Sequence, residues 1–235
     1  MSTVSAVGDE QSTPKSAPNS KAALDGDGWP LALAGLALAA VISTNLLDFG
    51  ADHLQIAVLN ANVGSSWSHR ATAAALAAGA LLTLVRALRS SSLRAWWSGT
   101  AVILGLLFVA EASPLHVQVD RASFGKLIYA PLLAGLVVCL WRLAGASNQK
   151  RLMRVGLGAL FLSYAIHIFG MAIMHALSWG PDSWGYQTRA ALKEGTELSG
   201  WLLVVVALWR LRAARAGANR IWRFSQAEAV CDDAR

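Results

Sequence analysis

The chain has 235 residues, 55% of them hydrophobic and only 14% charged, where a soluble domain carries about 25% charged residues. That scarcity of charge, with repeated apolar runs, excludes an ordinary soluble domain and places the chain among polytopic membrane proteins. The formal net charge of +6 then reads as basic edges facing anionic lipid, with no nucleic-acid partner, and two cysteines, Cys139 and Cys231, exclude a disulfide framework.

Residues 1–28 are rich in Ser, Pro, Asp and small side chains and read as a disordered tail. Trp29–Leu47 is the first crossing. It is read as a span and not as a cleaved signal peptide, because its basic lead is poor and its polar lead is long. Asp48–Arg70 is a long connection holding Asp48, Asp52, His53, His69 and Arg70 around an apolar middle, Leu54–Leu59. Ala71–Leu88, Ala95–Pro114, Leu127–Leu143, Val155–Trp179 and Glu194–Leu211 follow as crossings two to six. Residues 213–235 form a basic tail that reads as frayed. The fold class is therefore an all-α integral membrane bundle of six transmembrane helices, with residues 29–212 as the membrane domain.

Charge orients the bundle. Arg86, Arg89 and Arg94 lie between the second and third crossings, and Arg142, Lys150, Arg151 and Arg154 between the fourth and fifth. Arg210, Arg212, Arg215, Arg220 and Arg223 follow the sixth. Six crossings put these three regions on one side, which the positive-inside rule makes cytoplasmic. Both termini are then inside, in a bacterial inner membrane. The same topology gathers the five histidines, with Asp48, Glu111, Glu194 and Glu197 among the acids, toward the outer end.

Three groups carry the chemistry. The uncharged part of the third crossing, Ala95–Ala110, is 16 residues, about 24 Å of helix, so spanning a layer of about 30 Å draws in Glu111. A carboxylate at that depth is costly unless paired or turned inward, and His116 follows five residues later. In the sixth crossing the uncharged part, Leu198–Trp209, is 12 residues, or about 18 Å, so the helix extends through Glu197 to Glu194, inward through Arg210, or both. His167, Met171, Met174 and His175 are spaced to share one helical face. Imidazole and thioether suit copper, two histidines on different helices such as His116 and His175 suit haem, and imidazole with carboxylate suits zinc or iron. The candidate polar site is Glu111, His116, His167, His175, Glu194 and Glu197, with His116, His167, His175 and Glu197 as candidate metal ligands. Against this stands a plain reading in which methionines pack the bundle and the polar groups hydrogen-bond neighbouring helices. There is no HExxH, no CxxC, no phosphate loop and no GxSxG elbow. Ser43, Ser66 and Ser113 are nucleophile candidates only in principle. Gly35, Gly156 and Gly158 read as close-packing positions.

Glu-Ala-Ser-Pro-Leu-His at 111–116, Tyr-Ala-Pro-Leu-Leu at 129–133 and Glu-Gly-Thr-Glu-Leu-Ser-Gly at 194–200 occur in that order among six hydrophobic segments. Together they resemble a broad group of uncharacterised bacterial multi-pass membrane proteins with a late ExxExxG signature. The resemblance implies the architecture and marks Glu111, His116, Glu194, Glu197 and Gly200. The chain departs from the group at Val117, where an acid recurs.

Three functions stay open on these residues. One is an outer-face Glu/His site that binds a metal or cofactor such as haem, or relays protons. The second is an accessory or scaffold subunit held to a membrane-protein partner. The third is a membrane-embedded metal-dependent hydrolase.

Overall fold

The computed structural model describes residues 28–52, 56–91, 93–113, 125–145 and 149–232, with side chains over 28–51, 56–91, 93–113, 129–145 and 149–211. Among the described residues there are six helices: α1 (Gly28–Asp52), α2 (Trp67–Arg89), α3 (Arg94–Ala112), α4 (Gly125–Ala144), α5 (Lys150–Ala176) and α6 (Trp184–Asp232). Four of them, α1, α2, α3 and α5, are long and apolar enough to cross a bilayer. By hydropathy this is a multi-pass membrane protein. Its surface agrees: Leu36, Leu81, Leu88, Val102, Phe161 and Phe169 point outward, while Asn45, Asp48, His69, Gln187 and Glu194 are buried. Apolar outside and polar inside is the distribution expected where lipid replaces water as the solvent.

Several boundaries differ from the sequence expectation, and each shift moves a polar side chain into a helix. α1 continues past Leu47 to Asp52. α2 begins at Trp67, four residues before Ala71, because Ser66 caps it with its hydroxyl accepting from the backbone N–H of His69 at 3.4 Å. α6 begins ten residues before Glu194 and runs on through Asp232, where the sequence alone reads a frayed tail. The Ala and Arg residues of 212–219 are good helix formers, which accounts for the continuation. Within the connection, Ile56 and Val58 are exposed whereas Ala61 is buried.

Helices α2, α3, α4, α5 and α6 pack in that order, and α6 meets α2 again to close a ring; α1 lies along α6. Two close approaches set the α6 position. Gly200 faces Gly156 of α5 so tightly that a Cβ on Gly200 would sit 2.9 Å from the Gly156 carbonyl oxygen. A Cβ on Gly195 would sit 2.7 Å from the Leu38 side chain of α1. Gly35 and Gly158, by contrast, have nothing within 4 Å of a built Cβ, so the close-packing expectation holds for Gly156 and not for them. The Ser199 hydroxyl also donates to the Ala34 carbonyl at 2.7 Å, tying α6 to α1.

The apolar core fills one end of the ring. Trp97 and Leu104 of α3, Leu136, Leu140 and Leu143 of α4, Leu152 of α5, and Val204, Leu208 and Leu211 of α6 are essentially inaccessible. Around that end lie the basic residues. Arg142 stacks on Trp96, Arg154 on Trp141 and Arg210 on Trp29, at 5.5, 5.8 and 5.4 Å. The other end of the ring is polar.

Candidate functional site

Helix ends and helix register bring the polar groups together. His69 enters from the first turn of α2, Glu111 from the last turn of α3, and Lys193, Glu194 and Glu197 from one side of α6. The two nitrogens of His69 face different carboxylates: Nδ1 lies 2.5 Å from Glu111 Oε1, and Nε2 lies 3.6 Å from Glu194 Oε1. Lys193 Nζ donates to Glu194 Oε1 at 2.6 Å and lies 3.2 Å from Glu197 Oε2. Ser163 of α5 donates to the Lys193 carbonyl at 3.0 Å and reaches Glu197 Oε2 at 3.5 Å. The result is one chain, Glu111–His69–Glu194–Lys193–Glu197, crossing from α3 through α2 to α6. His69 and Glu194 side chains are each 6% exposed and Lys193 19%. These are charges removed from water, whose mutual pairing offsets their desolvation.

Beside the chain, inside the ring, is a cavity of about 110 Å³, partly open to the exterior. Glu111, Lys193, Glu197, Ser163, Tyr164 and His167 give it a polar wall, and Leu76, Leu107, Leu133 and Leu160 an apolar floor. Trp201 lines it too; its indole N–H, buried, turns toward Glu197 without closing a hydrogen bond.

A second polar network, built of neutral groups, caps the same end. Asn45 of α1 donates to the Gln187 carbonyl at 3.3 Å and accepts from the Ala61 N–H at 2.7 Å. Gln187 accepts from Asn62 at 2.8 Å and donates to the Pro181 carbonyl at 2.6 Å. The Trp67 indole N–H donates to Thr44 at 3.1 Å. These bonds fasten the connection after α1 to α1 and α6, beside the charged chain.

The sequence-derived residues are placed as follows. Glu111, Glu194 and Glu197 meet through His69 and Lys193. His167 lines the cavity next to them. His175 does not join: it is exposed, as is Met171, because the inward stripe of α5 runs through Gly156, Leu160, Ser163, Gly170 and Met174. The shared face of His167, Met171, Met174 and His175 is therefore split between interior and exterior. His116, like His53, lies outside the described residues. Ser66 serves as the cap of α2, and Ser43 is exposed.

Among the described residues, no group of three or more His, Cys, Asp and Glu side chains is placed to hold a metal ion. The physical reason is visible in α6. The Lys193 ammonium occupies the position between Glu194 and Glu197 that a cation would take. Among the described residues the metal reading of His167, His175 and Glu197 thus finds no centre, and His116 lies outside them. A haem held between His116 and His175 involves a residue outside the described ones.

His69 and Lys193 are the residues that sequence reasoning passed over. Both had a signal. Ser66 stands three residues before His69, the spacing of a capped first turn, and Lys193 stands four before Glu197, the spacing of a helical ion pair. No family model, no curated protein and no solved structure matches the chain, so no family is identified and the site is interpreted from its own geometry.

Proposed function

We propose that this is a bacterial inner-membrane protein of six crossings, with both termini in the cytoplasm, that takes up protons from the outer side and passes them along Glu111, His69, Glu194, Lys193 and Glu197. The membrane domain is residues 29–212, between the tails 1–28 and 213–235. The observation that carries this reading is the run of titratable side chains, each within 3.6 Å of the next, from the 2.5 Å contact of His69 with Glu111 to the 3.2 Å contact of Lys193 with Glu197, against one cavity.

Imidazole suits the middle of such a chain. It accepts a proton at one nitrogen and gives one up at the other without turning over, and here each nitrogen already faces its own carboxylate. The 3.6 Å step to Glu194 closes with a small side-chain shift or one bridging water. Lys193 holds Glu194 and Glu197 together at the far end. The topology is supported by the gathering of Arg86, Arg89, Arg94, Arg142, Lys150 and Arg154 at the ends of helices away from the site. The packed leucine core at that basic end stands between the site and the cytoplasm, so protons enter and leave on one side only.

The experiment is an acid step applied to oriented proteoliposomes holding the full chain, with an impermeant pH dye outside and the same dye trapped inside. The outside dye reports more proton uptake by wild type than by Glu194→Gln, and the trapped dye stays constant. Equal uptake by folded wild type and variant contradicts the reading. A scaffold role, which the neutral Asn45–Gln187–Asn62 network favours, then takes its place.

A further inference from the structure

Far from the proton site, the inner ends of α4 and α5 part to leave a groove of about 200 Å³. The α4–α5 contact is the sparsest in the ring. Lys150 and Arg154, one helical turn apart on α5, line its outer part, and Trp141, Leu140, Met153 and Leu157 line the rest. The groove is thus lined by two cations and by apolar side chains. We infer that it binds an anionic phospholipid, the phosphate between Lys150 and Arg154 and an acyl chain along Leu140, Met153 and Leu157.

Charge complementarity selects this occupant. The described side chains include five acids, Asp48, Glu111, Asp182, Glu194 and Glu197, and none lines the groove. Lys150 and Arg154, with Arg151 between them, lie in the first turns of α5, which have no acidic residue and no side-chain cap. Cations there oppose the helix dipole, so an anion relieves both repulsions. Arg154 rests on the Trp141 ring at 5.8 Å, which holds the guanidinium in place while its N–H edge stays available for bidentate contact with phosphate. Trp141 is largely exposed on the outer surface of α4, where an indole suits the level of lipid headgroups. A basic pocket between membrane helices on the cytoplasmic side is a recognised setting for lipid phosphate. The inference takes the cytoplasmic placement from the topology proposed above but uses none of the groups of the proton site, and its test in detergent reads binding apart from proton uptake.

The test is a titration of the full chain in neutral detergent with phosphatidylglycerol, phosphatidylcholine or inorganic phosphate, read by native mass spectrometry. Wild type binds phosphatidylglycerol in preference to phosphatidylcholine. Lys150→Gln/Arg154→Gln weakens phosphatidylglycerol about 30-fold, from about 1 kcal/mol per basic residue. Leu157→Trp, which fills the apolar part and keeps both charges, weakens it as well, and it decides the matter if the double variant does not fold. Equal binding of the two lipids by wild type, or unchanged phosphatidylglycerol binding in Leu157→Trp, overturns the inference. Displacement of phosphatidylglycerol by millimolar inorganic phosphate overturns the lipid assignment in favour of a soluble anion.

Discussion

The two ends of this helical ring are built on opposite principles. At the basic end, leucines, Val204 and Trp97 fill the interior, and the charges sit outside on tryptophans. At the other end three carboxylates, an imidazole and an ammonium fill the interior, a cavity lies beside them, and amides close the top. The same helices run through both halves. What changes is whether the inward stripe of each helix is apolar or ionisable. A buried ion network is a weak source of stability compared with well-packed apolar side chains, so a protein that needed only to hold together would carry leucines at both ends. On the proposed function the polar half is there for chemistry, and the packed half keeps that chemistry on one side of the membrane.

Substitutions at the two ends sharpen the comparison. The largest effect is expected from Lys193→Met, which leaves the buried Glu194 and the partly buried Glu197 without their cation. It costs about 3–5 kcal/mol, the range for breaking a buried pair, measured by denaturant unfolding in detergent. Adding Glu194→Gln and Glu197→Gln to it recovers much of the loss; no recovery breaks the account of the α6 ion pairs. At the packed end, Leu208→Ala costs about 2–5 kcal/mol by the loss of a fully buried side chain and leaves proton uptake per folded molecule unchanged. Between the two ends, Gly200→Ala drives a Cβ against the Gly156 carbonyl and Leu160, an overpacking worth about 1–3 kcal/mol. Gly158→Ala meets nothing and stabilises by about 0.5–1 kcal/mol through helix propensity, so the pair separates packing from propensity in a melting curve. The smallest effect is expected at the rim of the basic end. Trp96→Leu removes the ring under Arg142 and costs about 0.5–1 kcal/mol.

The apolar half of this picture was legible in the sequence. Runs of leucine and alanine mark α1, α2, α3 and α5, and the short uncharged lengths around Glu111 and Glu197 point to carboxylates drawn into the bundle. The polar half was only partly legible. Hydropathy falls where α6 begins, because Gln187, Arg189 and Lys193 break the apolar run, yet those side chains turn into hydrogen bonds, an aromatic stack and ion pairs and the helix continues. A crossing started at Glu194 therefore leaves its own counter-ion outside. His69 was missed in the same way, by starting α2 after it. The exposure of His175 was not legible, because spacing states which residues share a face but not which way that face points, and the tight approach of Gly156 to Gly200 bears on the rotation of α5.

The most direct measurement sets His69→Gln against Leu208→Ala in the acid-step assay, with unfolding followed on the same preparations. The account requires His69→Gln to lose the outside proton uptake at a melting temperature where the sample remains folded, and Leu208→Ala to melt earlier yet take up protons as wild type does. Proton uptake that survives His69→Gln, or that falls in both variants in proportion to their stability, contradicts it.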